Sequence, residues 1–172
     1  YYIYSYGRLV AAKEIEAGQK VNFVVPTGNF GNILAAYYAI RMGLPVYRLI
    51  CASNKNNVLT DFLESGVYMA QREFYKTISP SMDILISSNL ERFLYHMTEG
   101  DTILVQKWMN DLAQNGFYEV TDEVKQRISS LFYGAYCDDK FTLKTISDVE
   151  AQYSYVLDTH TAVGQNVYEQ YV

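Results

Sequence analysis

Apolar positions along the chain recur at two spacings, and the change from one to the other marks its elements. Residues 21–25 (Val-Asn-Phe-Val-Val) and 45–51 (Pro-Val-Tyr-Arg-Leu-Ile-Cys) are short runs rich in β-branched and aromatic side chains, which predict strands. Between them, residues 32–42 place apolar side chains at helical spacing and stop at Gly43, a residue suited to the end of a helix. This β-loop-α-β unit, over about residues 20–51, predicts two parallel neighbouring strands joined by a right-handed crossover. Upstream, residues 2–17 predict a helix with Ile3, Tyr6, Leu9, Val10 and Ile15 near one face and Gly18 as its stop. Downstream, a helix over 58–64 ends at Ser65-Gly66, and 67–88 is irregular, with a turn at Ser79-Pro80-Ser81. The remainder, about 89–172, reads as mainly helical: 89–97, 102–114, 123–136, 141–156 and 161–171, with one short strand at 117–120. In the 123–136 stretch Val124, Ile128, Leu131, Phe132 and Tyr136 share a face. The expected fold is α/β, a parallel sheet with flanking helices and a helical C-terminal part.

The first loop of that unit carries the strongest local chemistry. Pro26-Thr27-Gly28-Asn29-Phe30-Gly31-Asn32 takes the chain from strand to helix through two glycines. Such a loop turns unpaired backbone N–H groups outward at the positive end of a helix dipole, which suits a phosphate or carboxylate. Gly28 and Gly31 let the backbone bend and approach an anion without a Cβ. Asn29 tolerates a left-handed conformation, and Asn32 is a reasonable cap for the helix. Neither the dinucleotide-binding G-x-G-x-x-G nor the P-loop pattern is complete, so a strand-to-helix turn that binds nothing stands beside the anion site as an alternative. The loop after the second strand, Ala52-Ser53-Asn54-Lys55-Asn56-Asn57, lies at the same sheet edge; capping of the following helix is its simplest role.

Composition narrows the partners. A chain of 172 residues suffices for one domain or most of one, and with 49% apolar residues it is globular in character. The net charge of −5 disfavours nucleic acid and anionic membrane. No apolar run approaches the ~20 residues that cross a bilayer. Cys51 and Cys137 lie in unrelated contexts, so reduced thiols in a cytoplasmic protein are expected, and no metal site is formed by them. The chain starts in apolar sequence at Tyr1-Tyr2-Ile3 and stops in mid-pattern at Gln170-Tyr171-Val172. Ends of that kind predict a piece of a longer protein, with uncovered apolar surface that favours self-association.

Other polar clusters are weaker. His96 and His160 are the two histidines, and no Ser–His–Asp spacing or H-E-x-x-H involves them. In Asp158-Thr159-His160, Asp158 or Thr159 is expected to cap the last helix, with His160 in its first turn. Arg92 could serve a phosphate, although its neighbour Glu91 does not support it.

Several strings, in this order, carry a resemblance: the 26–32 loop, Arg41-Met42-Gly43-Leu44-Pro45, Ile50 to Leu59, Ser79-Pro80-Ser81-Met82-Asp83-Ile84, Ser87-Ser88-Asn89-Leu90-Glu91-Arg92 and Asp158 to Gly164. Over nearly its entire length the chain resembles threonine synthase, a pyridoxal-phosphate enzyme of the fold-type II (tryptophan-synthase β-like) group. The resemblance implies a partial cofactor-binding catalytic domain over residues 1–172. It also implies the family's reaction, in which O-phosphohomoserine and water give threonine and inorganic phosphate. By the same resemblance, Gly28, Asn29, Phe30, Gly31 and Asn32 would hold the phosphate of pyridoxal phosphate. The family's Schiff-base lysine follows a Ser-Phe or Ala-Phe pair, and none of Lys13, Lys20, Lys55, Lys76, Lys107, Lys125, Lys140 or Lys144 does so. The resemblance therefore places the phosphate grip here, no catalytic residue in this span, and no activity in these residues alone. A serine or threonine dehydratase of the same group is an alternative, against which the 79–92 strings argue. A nucleic-acid-binding G-x-x-G module is another, disfavoured by Asn29, Phe30 and the net charge.

Overall fold

A computed structural model describes residues 1–172. Helix α1 (Tyr2–Ala11) leads to strand β1 (Val21–Pro26), helix α2 (Gly31–Arg41), strand β2 (Val46–Ser53) and helix α3 (Val58–Ser65). Strand β3 (Val67–Met69) and a 3₁₀ turn at Pro80–Met82 precede helices α4 (Leu90–Met97) and α5 (Thr102–Asn115). Strand β4 (Phe117–Glu119), helix α6 (Asp122–Leu131), strand β5 (Phe132–Tyr136) and helices α7 (Asp139–Tyr153) and α8 (Thr159–Tyr171) complete the chain.

The main sheet has the order β1-β2-β5, and both pairings are parallel. All three strands therefore end at one edge. The predicted crossover unit is present, and Val25 lies opposite Cys51 in its register. Side-chain alternation along β2 splits the core into two layers. Leu49 and Cys51 face the larger cluster with Ile33, Tyr37, Leu59, Phe62, Phe93 and Ile128 from four helices. Ile50 and Ala52 face the smaller one, with Ala135 of β5 and Val163 and Val167 of α8. Fully burying side chains of this size contributes about 1.5–3 kcal/mol each, so the sheet is a firm platform for its loops. A separate antiparallel pair, β3 with β4, stacks Tyr68 on Tyr118 at 5.3 Å.

Three expectations need correction. The stretch 123–136 is not one helix: α6 ends at Leu131 and β5 begins at Phe132. Val124 and Ile128 do face the core at helical spacing, and Phe132 extends that spacing by chance while entering the sheet. Gly134 fits this strand because a Cβ there would stand 3.0 Å from Leu63 Cδ1 of α3. The region from residue 89 is mainly helical, with helices α4 to α8, and it also supplies the third strand of the sheet.

Helix α1 stops at Ala11, and Lys13 takes a left-handed φ of 61°. The face of α1 turned to the body is Tyr2, Tyr6 and Val10, whereas Ile3 and Leu9 are exposed. Tyr6 fixes the helix exit: its hydroxyl accepts from Gly18 N–H at 2.9 Å and donates to Gln19 O at 3.1 Å. Finally, the 52–57 loop does not cap α3 through a side chain.

Candidate functional site

The site begins where β1 leaves the sheet. Thr27 N–H donates to Ala52 O at 2.8 Å, and its hydroxyl donates to Val25 O at 2.6 Å, so the strand exit is held on both sides. The chain then turns through Gly28 and Asn29 into α2. The residue with the left-handed backbone is Phe30, with φ 64° and ψ −2°, and not Asn29. A non-glycine residue held there stores strain of order 1–3 kcal/mol. Burial of its ring compensates: Phe30 is 1% exposed and meets the rings of Phe93 at 5.4 Å and Phe132 at 5.8 Å.

Gly28 and Gly31 also differ from expectation, because neither has a positive φ. Their constraint is space. A Cβ on Gly28 would lie 2.7 Å from Ser81 O, and one on Gly31 would lie 3.3 Å from Asn89 Nδ2. Asn32 caps nothing; its Oδ1 accepts from the Tyr2 hydroxyl at 2.9 Å, tying α2 to α1. The Tyr2 hydroxyl is pushed up to about 12 by burial, so it stays a donor at neutral pH.

The backbone groups of this loop are divided sharply by polarity. Gly28 O accepts from Ser87 Oγ at 2.8 Å. Asn29 O accepts from both Asn89 N–H at 3.1 Å and Asn89 Nδ2 at 2.8 Å. The N–H groups of Gly28, Asn29, Phe30, Gly31, Asn32 and Ile33 donate to no acceptor in the chain. A run of consecutive free donors at the start of an eleven-residue helix is an anion cradle with the helix dipole behind it. No lysine or arginine belongs to the loop, so the attraction would come from amides and not from a point charge.

A brace formed by residues 77–89 lies across the cradle. Asn54, which is 1% exposed at the end of β2, donates through Nδ2 to Thr77 Oγ1, Ser79 Oγ and Asp83 Oδ1 at 2.9, 3.1 and 2.8 Å. Asn56 adds Nδ2 to Asp83 Oδ1 at 3.0 Å, and its Oδ1 accepts from Tyr75 N–H at 2.9 Å. At the far end the Tyr68 hydroxyl donates to Leu85 O at 3.0 Å and accepts from Ser87 N–H at 2.8 Å. None of these contacts has a local sequence signature. The strings that contain them are distinctive only as part of the resemblance.

The other candidates fall into place. Asp158 caps α8, accepting from His160 N–H at 3.0 Å and Thr161 N–H at 3.1 Å, as expected. His160 does more than occupy the first turn: its Nε2 accepts from Ser81 N–H at 3.2 Å, which joins α8 to the brace. In the neutral ring the proton therefore sits on Nδ1, 3.5 Å from Asp158 Oδ1. Arg92 is turned to Asn89 Oδ1 at 2.8 Å. With Tyr38, Tyr95 and His96 it lines an open groove of about 700 Å³ between α2, α4 and α5, whose lining contains none of residues 28–32. That groove is thus not where the free donors are. We place the site at the donors, since they carry chemistry that a shallow surface groove does not. No group of His, Cys, Asp and Glu residues is arranged to hold a metal ion. No helix is long and apolar enough to cross a membrane.

Comparison with known proteins agrees with this architecture. No protein-family model matches the chain. It is 40% identical over 168 residues to threonine synthase-like 1 of Homo sapiens, covering 97% of this chain and 23% of that protein. It is 40% identical over 178 residues to the threonine synthase of Saccharomyces cerevisiae, covering 95% of this chain and 34% of that protein. Among solved structures it superposes with a TM-score of 0.91 on the pyridoxal-phosphate-bound threonine synthase of Brucella melitensis, at 40% identity and covering 97% of this chain and 36% of that one. The chain thus spans about a third or less of the length of these relatives. Similar to them in sequence and in fold across almost all of its own residues, it is a homologue of the threonine synthases with their fold-type II α/β architecture.

Proposed function

We propose that the chain supplies the phosphate-binding segment of a threonine synthase and that Gly28, Asn29, Phe30, Gly31 and Asn32 hold the phosphate of pyridoxal phosphate. The observation that carries the reading is the run of backbone N–H groups from Gly28 to Ile33 that have no acceptor in the chain, at the N-terminus of α2. The amides fit a phosphate dianion: each charge-assisted bond contributes about 1.5–3 kcal/mol net, and the helix terminus adds about 0.3–1 kcal/mol. When bound, such a cofactor supplies an electron sink for proton removal beside the substrate amine. In the whole protein the reaction is conversion of O-phosphohomoserine and water to threonine and phosphate, a carbon–oxygen lyase reaction acting on phosphate.

This chain's part is positional. Phe30, locked among aromatic rings, fixes the turn. Thr27 ties the cradle to the sheet, and the engaged carbonyls of Gly28 and Asn29 fix the amides that follow them. None of the eight lysines stands in the Ser-Phe or Ala-Phe context of the covalent anchor. Lys55, at the end of β2, lies over the Tyr75 ring at 3.8 Å. These residues alone are therefore expected to bind and not to turn over. Exposed Tyr1, Ile3, Tyr4 and Leu9 on and beside α1 favour self-association, to be read by light scattering across a concentration series.

The test is titration with pyridoxal phosphate, then borohydride reduction and peptide mapping. Saturable binding that inorganic phosphate competes away, with scattered substoichiometric lysine labelling, is the expected result. One stoichiometric adduct at a single lysine would refute the inactive assignment. Absence of phosphate competition would refute the cradle.

A further inference from the structure

We propose that Asp83, with Asn54 and Thr77, forms a positioning cluster that sets the direction of the Asn29 and Phe30 amides, and so tunes the anion site from outside it. The inference rests on the phosphate reading of the loop and adds to it residues that touch no ligand.

The Asp83 carboxylate has an unusual set of partners. Its Oδ1 accepts from Asn54 Nδ2 at 2.8 Å, Asn56 Nδ2 at 3.0 Å and Thr77 Oγ1 at 2.7 Å, and its Oδ2 accepts from Thr77 N–H at 2.9 Å. No cation pairs with it; four neutral donors do the work. An acceptor-only group is required there, because every neighbour offers a proton. The cluster fastens residues 77–83 to the loop that follows β2, the central strand. Met82, 3% exposed in the smaller core, seats the same segment from the other side.

From there the effect reaches the cradle through planar peptides. Ser81 O stands 2.7 Å from where a Gly28 Cβ would be, so the brace lies directly against the loop. Further along it, Ser87 Oγ holds Gly28 O and Asn89 holds Asn29 O twice. In a trans peptide the carbonyl of one residue and the N–H of the next point in opposite directions within one plane. Fixing Gly28 O therefore fixes the Asn29 N–H, and fixing Asn29 O fixes the Phe30 N–H. The brace uses the loop's acceptors and leaves its donors facing away, at set angles. Pre-set donors bind an anion without a further ordering cost.

The experiment uses the full chain, with inorganic phosphate as the probe and backbone amide resonances as the readout. Thr77→Val removes one hydroxyl at nearly constant shape, Thr77→Ser restores it, Asp83→Asn replaces an acceptor by a donor, and Ser87→Ala cuts the last link. Wild type and Thr77→Ser are expected to bind phosphate alike. Thr77→Val, Asp83→Asn and Ser87→Ala are expected to bind at least tenfold more weakly while folded. Already without phosphate, they should show displaced or broadened Asn29 and Phe30 amide resonances, with the resonances of Tyr133 and Tyr171, whose rings pack on each other at 5.0 Å, unmoved. A folded Thr77→Val protein with wild-type phosphate affinity and unmoved Asn29 and Phe30 amides overturns the inference, even if its melting temperature falls. A wild-type chain whose amides ignore phosphate overturns the phosphate reading instead, and displaced amides in the free variants would then still support the positioning cluster.

Discussion

Substituting Gly28 by alanine separates two explanations of the glycine loop. If Gly28 were needed for a special backbone conformation, alanine would strain the φ angle, but that angle lies outside the left-handed region. The penalty instead comes from contact. The new Cβ would stand 2.7 Å from Ser81 O, 3.3 Å from Met82 Cα and 3.6 Å from Ser81 C. Ordinary non-bonded separations to carbon are about 3.5–4.0 Å, so two of the three contacts are overlaps. Both overlapping atoms are backbone, in a segment held by the Asp83 cluster and by buried Met82, so neither yields cheaply. Overpacking of this kind costs about 1–3 kcal/mol, against which alanine recovers up to ~1 kcal/mol by restricting the unfolded chain.

A net loss of about 1–2 kcal/mol corresponds to a fall in Tm of roughly 2–8 °C for a chain of this size. Thermal unfolding by circular dichroism measures it. Phosphate titration of the folded variant should show weakened binding as well, because relief of the clash must move either the brace or the cradle. Gly31→Ala is the control. Its Cβ meets only the end of the Asn89 side chain, at 3.3 Å, which can swing away at the cost of the Asn89–Asn29 bond, about 0.5–1.5 kcal/mol. A Gly28→Ala protein as stable as wild type, or a larger loss at Gly31 than at Gly28, would refute the close-approach account.

Three further outcomes are expected. Phe30→Ala should lose about 3–5 kcal/mol for the buried ring, read by urea denaturation, and Phe30→Gly should lose less than the alanine variant because glycine relieves the left-handed strain at φ 64°. Asp158→Ala should cost about 1 kcal/mol as a lost helix cap. The Thr161 hydroxyl bond, followed by the Thr161 and His160 amides, holds the Asp158 carboxyl below its usual range. Its stabilisation is therefore complete above the unfolded carboxyl value near ~3.9 and fades as pH falls towards the folded one, so the variant should lose less stability than wild type on acidification below about pH 4. Burial pushes the Cys51 thiol up to about 12 and raises Cys137 as well. Neither should be alkylated at neutral pH until the chain unfolds, and rapid labelling of native protein by iodoacetamide at either position would contradict this packing.

What was legible in the sequence was local. Val21 to Val25, the two glycines, the 32–42 periodicity and Pro45 to Cys51 formed one contiguous βαβ pattern, and the fold reproduces it within a residue or two. Asp158 as a cap was equally local, since the N–H groups that donate to it lie two and three residues ahead. Strand β5 was hidden for a physical reason. Phe132 follows Val124 and Ile128 at intervals of four, so a helix–strand junction with no intervening loop keeps the helical phase through its first residue. The useful signal was composition: Phe-Tyr-Gly-Ala-Tyr contains three β-favouring aromatics and a glycine that a helix interior disfavours.

The cradle raises a different difficulty, because its donors are local but the contacts that fix them come from distant parts of the chain. The pattern of residues 26–32 correctly suggested free amides, yet it misassigned the left-handed residue to Asn29 and the cap to Asn32. Both errors arise from using intrinsic preference where tertiary contacts decide. Phe30 accepts an unfavourable φ because Phe93 and Phe132, more than sixty residues away, bury its ring. Asn32 turns from the helix end because Tyr2 offers it a partner. Residues 67–88 looked irregular because they are bound by side-chain hydrogen bonds and not by periodic burial, and polar clusters of that kind leave no period to detect. The loop that reads most clearly as a binding motif is thus the one whose geometry its own residues determine least. Swapping its seven residues into an unrelated strand–helix junction should transfer the glycines without transferring the phosphate affinity.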